Sequence, residues 1–278
     1  MVYLLLAILS SATIAITMRL SSGKIRGHFS MVATNYLVCA VLGALYSDFS
    51  FLAKAESGVP LTIGMAALNG VILLGGMLLL QSSTRKHGIV LSSLFMKLGL
   101  LVPFVMSIVF FHEVPTWLQI TGFCVASGAI VLFNLQKEAK NSRFGIGLLL
   151  LLLCNGGADA LVKIFEEIGP AALADVFLCF SFLVAFVLCI TLVIAKKERP
   201  DGKSLLFGAL VGGANFFSFK FLLTALTQLP AVVIFPTFSV AAMLVVTLIG
   251  VIFFRERLSK RQWLAFAAVI ASLVMLNI

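Results

Sequence analysis

Read from its amino terminus, the chain alternates long apolar runs with short stretches of charged and turn residues. Ten runs are helix-like in length and pattern: 2–19, 30–46, 61–81, 88–111, 117–135, 145–163, 172–195, 204–227, 231–254 and 261–277. Each approaches or exceeds the ~20 residues that an α-helix needs to cross a hydrocarbon layer. A strand reading fails, because membrane barrels show ~10-residue segments of alternating polarity, whereas these runs are continuous and rich in Leu and Ala. The pattern predicts an all-α membrane protein of ten transmembrane helices joined by short loops.

Composition sharpens that picture. Apolar residues make up 61% of the 278 positions and charged residues 11%, with a mean hydropathy of +1.15; ordinary soluble domains are about 45–50% apolar. Ten spans leave no room for a catalytic domain in water. The five cysteines (Cys39, Cys124, Cys154, Cys179, Cys189) lie inside apolar runs without a CxxC, which points to buried filler rather than to disulfides or zinc. The first run ends in Arg19, Lys24 and Arg26, so it reads as a retained helix and not as a cleaved signal.

The formal net charge of +9 would suggest nucleic acid for a soluble protein. Its distribution suggests membrane orientation instead. Of the 20 Lys and Arg residues, 16 fall after the odd-numbered helices: Arg19, Lys24 and Arg26; Arg85 and Lys86; Lys137, Lys140 and Arg143; Lys196, Lys197, Arg199 and Lys203; Arg255, Arg257, Lys260 and Arg261. Only Lys54 and Lys163 belong to the even-numbered loops, and Lys97 and Lys220 sit within helices. Basic loops stay cytoplasmic during insertion, so both termini are expected outside the cytoplasm, in a multi-pass protein of the cell (inner or plasma) membrane.

The two halves repeat at an offset of 143. Laying 110–134 on 253–277 pairs Phe110 with Phe253, Phe111 with Phe254, Glu113 with Glu256, Gln119 with Gln262, Phe123 with Phe266, Val131 with Val274 and Asn134 with Asn277. Five helices per half, an odd number, put the second copy upside down relative to the first. The expectation is a 5+5 inverted repeat, with one five-helix unit at 1–137 and its copy at 143–278.

The pattern Glu, six on to Gln, three on to Gly resembles the close of each half in EamA-type transporters of the drug/metabolite transporter superfamily. Here it reads Glu113, Gln119, Gly122 and then Glu256, Gln262, Ala265, the last departing from Gly. The resemblance implies a ten-helix secondary carrier with a central cavity that exports or exchanges small metabolites. Such proteins commonly have cytoplasmic termini and a basic tail, whereas this chain closes on Leu276-Asn277-Ile278.

Ionisable groups within a span are costly and mark pathways or pairs. Lys97 lies roughly 14 Å along the fourth helix, near the bilayer midplane, with no carboxylate near it in sequence. Pro103, six residues on, removes a backbone hydrogen bond and frees the carbonyl of Gly99. Helix six carries Asn155-Gly156-Gly157-Ala158-Asp159 and, one turn later, Lys163. Asp159 and Lys163 share a helix face at i, i+4. Lys220, ~26 Å up helix eight, is an alternative partner for Asp159, which lies ~21 Å up helix six. Two readings stand for Asp159: a static ion pair with Lys163 or Lys220, or a proton-titrating acid that couples transport.

The amides Asn35, Asn69, Gln81, Asn155 and Asn215 either line a cavity or bond neighbouring helices. The candidate substrate contacts are Lys97, Asn69, Asn155, Asn215 and Lys220; Pro103 and Pro236 are the candidate hinges. Glu113 and Glu256 are expected to cap a turn or the following helix. Gly208 and Gly212 show small-xxx-small spacing. Gly202-Lys203-Ser204 matches only the tail of a P-loop, since position 197 is Lys. His28, His87 and His112 form no metal or triad pattern. No enzyme activity, metal or cofactor is expected. The expected partners are a small-molecule metabolite, amino-acid-like in character, and the lipid bilayer, with the proton as candidate coupling ion and the protein a monomer or homodimer. The alternative class is a structural or regulatory membrane subunit without transport activity.

Overall fold

The computed structural model describes residues 1–47, 58–134, 145–255 and 258–278, with only the backbone of 89–90. Glu256 and the basic residues Lys54, Lys137, Lys140, Arg143 and Arg257 lie outside the described residues. All regular elements among the described residues are helical. They are α1 (Val2–Ser21), α2 (His28–Tyr46), α3 (Val59–His87), α4, α5 (Trp117–Asn134), α6 (Ile146–Ile168), α7 (Ala174–Ala195, entered through a 3₁₀ turn at Ala171–Leu173), α8 (Gly202–Leu226), α9 (Ala231–Phe254) and α10 (Lys260–Asn277). The helix α4 is interrupted: an α-helical segment Ile89–Lys97, a 3₁₀ turn Leu98–Leu100, then a second segment Leu101–Phe110.

Nine of these helices have the length and hydropathy of a membrane span. The tenth, α10, is 18 residues long and opens on Lys260-Arg261-Gln262, which shortens its apolar part. Two helices outrun the hydropathy pattern. The 29 residues of α3 rise ~43 Å, more than the ~30 Å hydrocarbon core, so its last turn can carry Arg85, Lys86 and His87 into the headgroups without leaving helical geometry. Likewise α6 continues through Lys163, Glu166 and Glu167 to Ile168.

The duplication is visible in local structure. Thr116 and Gln119 exchange hydrogen bonds across the start of α5 (Thr116 N to Gln119 Oε1, 3.0 Å; Gln119 N to Thr116 Oγ1, 3.2 Å). At the same offset of 143, Ser259 and Gln262 form the equivalent capping box on α10 (2.9 and 3.3 Å). Each box satisfies orphan amides at a helix start, which gives the motif glutamine its physical role. Repeat mates also run antiparallel. Gly122, early in α5, lies against Met275 and Leu276 at the end of α10. Gly43, late in α2, lies against the backbone of Cys179 early in α7, while Cys189 late in α7 donates to the Phe29 carbonyl at the start of α2 (3.6 Å). An inverted repeat requires this antiparallel pairing.

The chain forms two compact units, each drawing on both halves of the sequence. The first comprises Met1–Leu74 and Leu161–Thr227. In it α2 packs on α7 and α8, and α1 on α8. Gly208 and Gly212 face the Met31 and Asn35 carbonyls of α2 so closely that a methyl group would come within 2.5 and 2.7 Å of them; this close backbone approach is the gain that small residues bring in lipid. Gly64 and Gly213, by contrast, face open space. At one end of this unit the Glu198 carboxylate caps α2, accepting from the Ser30 amide (2.7 Å) and hydroxyl (2.9 Å). Nearby, Ser204 donates to Asp201 and accepts from the Gly27 amide (3.3 Å).

The second unit comprises Gly75–Ala160 and Gln228–Ile278. Its core is built on Phe104 stacked against Phe123 (centroids 3.7 Å apart) with Leu100, Ile130, Val269 and Leu276. The Glu113 carboxylate accepts from the first amides of α9, Ala231 (3.0 Å) and Val232 (2.9 Å). Glu113 was expected to cap its own turn or the following helix; it caps α9, 118 positions away, because that helix start offers unpaired amides and the positive end of a helix dipole.

Candidate functional site

The interruption of α4 in the second unit organises the principal site. Pro103 supplies no amide to the Gly99 carbonyl four residues back, and the chain tightens into a 3₁₀ turn there. Against this turn packs α6, where glycine permits it. A Cβ on Gly156 would overlap the Gly99 carbonyl oxygen, and one on Gly99 would come 2.9 Å from the Gly156 amide nitrogen. Beside this contact the Asn155 side-chain amide donates to the Met96 carbonyl (3.0 Å). Asn155 thus acts as an interhelical clip, and Lys97 is the next residue of α4.

Lys97 and Asp159 are both partly buried within spans. Asp159 lies one turn beyond Asn155 on α6. Neither makes a hydrogen bond or ion pair with any described residue. Lys163 and Lys220, the anticipated partners of Asp159, are each held by carboxylates of the first unit. Lys163, in the first unit, is 3% exposed and engages Glu166 (2.8 Å) and Glu167 (2.5 Å), one turn further along α6. Lys220 pairs with Asp175 in the first turn of α7 (2.7 Å) and lies over the Tyr46 ring, 3.9 Å from its centroid. Both lysines reach carboxylates near helix ends, where desolvation is less complete than at the membrane centre.

The remaining amides divide. Asn215 donates to the Asn35 side chain (3.2 Å), joining α8 to α2; its geometry is that of packing rather than of an open contact. Asn69, 1% exposed, donates to Ser181 of α7 (3.4 Å), while its oxygen has no partner among the described residues. Gln81 is partly buried. Pro236 is buried inside α9 and interrupts its hydrogen-bond ladder one turn from its start.

The residues that sequence reasoning missed are Asp175, Glu166, Glu167 and Tyr46, partners of the two lysines in the first unit. Asp175 could have been found as an acid in a helix first turn, where the dipole favours it. The Tyr46 contact depends on tertiary packing and has no local signal.

Residues 143–278 match the EamA-like transporter family. An uncharacterized protein of Haemophilus influenzae is 26% identical over 277 residues, spanning 94% of this chain and 92% of its own. A crystal structure superposes on 99% of this chain and 94% of its own with a TM-score of 0.72 at 15% identity, a likeness of fold.

Proposed function

We propose that this chain, whose residues 143–278 match the EamA-like transporter family, is a secondary carrier that exports or exchanges small organic metabolites of amino-acid-like character by alternating access. The observation that carries this reading is the pair of ionisable groups, Lys97 and Asp159, that flank the α4–α6 contact of the second unit without a partner among its described residues. A charge held within a span costs several kcal/mol unless water, a solute or a counter-charge meets it. With no counter-charge among the described residues of their unit, both groups call for a wet path.

In this reading Lys97 meets an anionic or carbonyl group of the substrate, and Asn155 holds the turn that presents it. Asp159 takes up and releases a proton as access changes, making the proton the coupling ion. Pro103 and Pro236, each in a helix with a weakened backbone ladder, serve as hinges. Asn69, with its unsatisfied oxygen, is a secondary candidate for solute contact. Asn215 and Lys220 drop to supporting roles, since each already has a protein partner. The charge distribution supports an orientation with the basic loops in the cytoplasm and both termini outside, in the cell membrane.

The test is transport by the purified protein in proteoliposomes against a panel of labelled metabolites. Lys97→Ala should lower exchange at least about tenfold, the effect expected from losing one charge-assisted contact. Asp159→Asn should abolish accumulation driven by a pH gradient while sparing exchange. If both variants match the parent for every transported compound, the site is wrongly assigned. Reporter activity on the cytoplasmic side from a fusion at Ile278 would overturn the orientation.

A further inference from the structure

The first unit contains a half-open cleft of ≈ 200 Å³ between the end of α6, the start of α7 and the end of α8. None of the residues at the α4–α6 contact takes part in it. Its polar wall carries Glu166, Asp175, Thr224 and Thr227, with Lys220 beside them; its apolar wall is Phe165, Leu178 and Leu223. Such a concave site, mostly apolar with a few convergent polar groups, is the usual form of a small-molecule pocket.

The polar groups share one character. The Thr224 hydroxyl proton is committed to the Lys220 carbonyl (2.9 Å) and that of Thr227 to the Thr224 carbonyl (2.8 Å), so both oxygens remain as acceptors. The carboxylates of Glu166 and Asp175 are acceptors too. Among the described residues the one cationic donor lining the cleft, Lys220, is held by Asp175 and by the face of Tyr46. Counting the charged groups joined here among the described residues, Lys163 and Lys220 stand against Glu166, Glu167 and Asp175. Two ammonium groups against three carboxylates leave one negative charge in a chain whose formal net charge is +9.

We propose that this cleft binds a small organic ammonium ion. Its N–H groups would be received by the carboxylates and threonine oxygens, and its apolar body would lie against Phe165, Leu178 and Leu223. An anion would meet the carboxylates, and a neutral alcohol would leave the negative charge uncompensated.

The probe is phenethylammonium, with 2-phenylethanol, 3-phenylpropionate and phenylalanine as neutral, anionic and zwitterionic comparators. Binding is measured by calorimetry on the full chain in nanodiscs, with empty nanodiscs subtracted. The ammonium should bind at least about tenfold more tightly than any comparator, a margin of ~1.4 kcal/mol. Glu166→Gln should weaken it several-fold. Lys220→Met should strengthen it, since removing the competing cation frees Asp175; a variant that had lost its fold could not gain affinity. Equal or tighter binding of any comparator, or weaker ammonium binding by Lys220→Met, overturns the proposal. These outcomes are independent of the Lys97 and Asp159 transport assay.

Discussion

Gly156 and Gly157 are neighbours on α6, yet the structure assigns opposite signs to the same substitution at the two positions. A Cβ at Gly156 overlaps the Gly99 carbonyl oxygen and falls 2.6 and 2.7 Å from Val102 Cγ2 and Cβ. Carbon atoms prefer about 3.5–4.0 Å, so α4 and α6 must separate locally by about 1 Å. Overpacking of this kind costs about 1–3 kcal/mol, and replacing glycine with alanine in a helix returns up to about 1 kcal/mol. Gly156→Ala should therefore be destabilised by up to about 2 kcal/mol. At Gly157 nothing lies within 4 Å, and alanine keeps the helical gain. The variants should differ by roughly 2 kcal/mol, which at about 2–4 °C per kcal/mol separates their melting temperatures by about 4–8 °C. Thermal unfolding of the two purified proteins in one detergent measures this directly. The same separation would break the Asn155–Met96 bond, so transport should fall in Gly156→Ala alone. Coincident melting curves with equal transport would refute the α4–α6 contact.

Glu113→Ala leaves the amides of Ala231 and Val232 without their acceptor and should cost about 1–3 kcal/mol in thermal unfolding, with Glu113→Gln losing roughly half as much. Lys163→Met leaves Glu166 and Glu167 without their ammonium; because Glu167 can turn toward water, the loss should be about 1–3 kcal/mol, below the full cost of stranding a buried charge. Combining it with Glu166→Gln and Glu167→Gln should recover part of that loss, which a mutant cycle reads out. Hydrogen bonding from Ser204 holds the Asp201 carboxyl below the usual carboxylate range, so Ser204→Ala should raise its midpoint in a carbon-13 carboxyl titration. A depressed folded pKa stabilises above the unfolded pKa and fades as pH falls through the folded one. That acid-side dependence should shrink in Ser204→Ala.

The helical layout was legible because lipid leaves the backbone few choices, and ten apolar runs then map onto ten helices. Helix ends were less legible. Arg85 and Lys86 look like a stop in hydropathy, but a helix longer than the hydrocarbon core can hold charges in its last turn. The capping boxes at Thr116–Gln119 and Ser259–Gln262 are local and could be read from the sequence repeat. The partner of Glu113 could not, since the amides it receives belong to a helix start 118 positions away. The broken backbone of α4 followed from Pro103, whereas its contact with Gly156 required the packing of α6.

Pairing of the intramembrane charges was the least legible feature, and it bears most on function. Lys163 has an acid one turn before it, Asp159, and two acids one turn after it, Glu166 and Glu167. Helix spacing alone permits either choice. The later acids win because they lie toward the helix end, where an ion pair keeps some contact with water; the pair forms where desolvation is least costly. Lys220 follows the same logic in choosing Asp175 at a helix start. Each choice commits to another acid a cation that could have neutralised Asp159, and no described residue of the second unit pairs with it. A residue left charged and alone within a span is tolerable only if something mobile visits it. The static pairs of the first unit and the solitary groups of the second are thus two outcomes of one constraint. Supplying Asp159 with a counter-charge one turn on, through Val162→Lys, should therefore suppress pH-driven accumulation in proteoliposomes. If a neighbouring lysine left that accumulation unchanged, Asp159 would have no part in coupling.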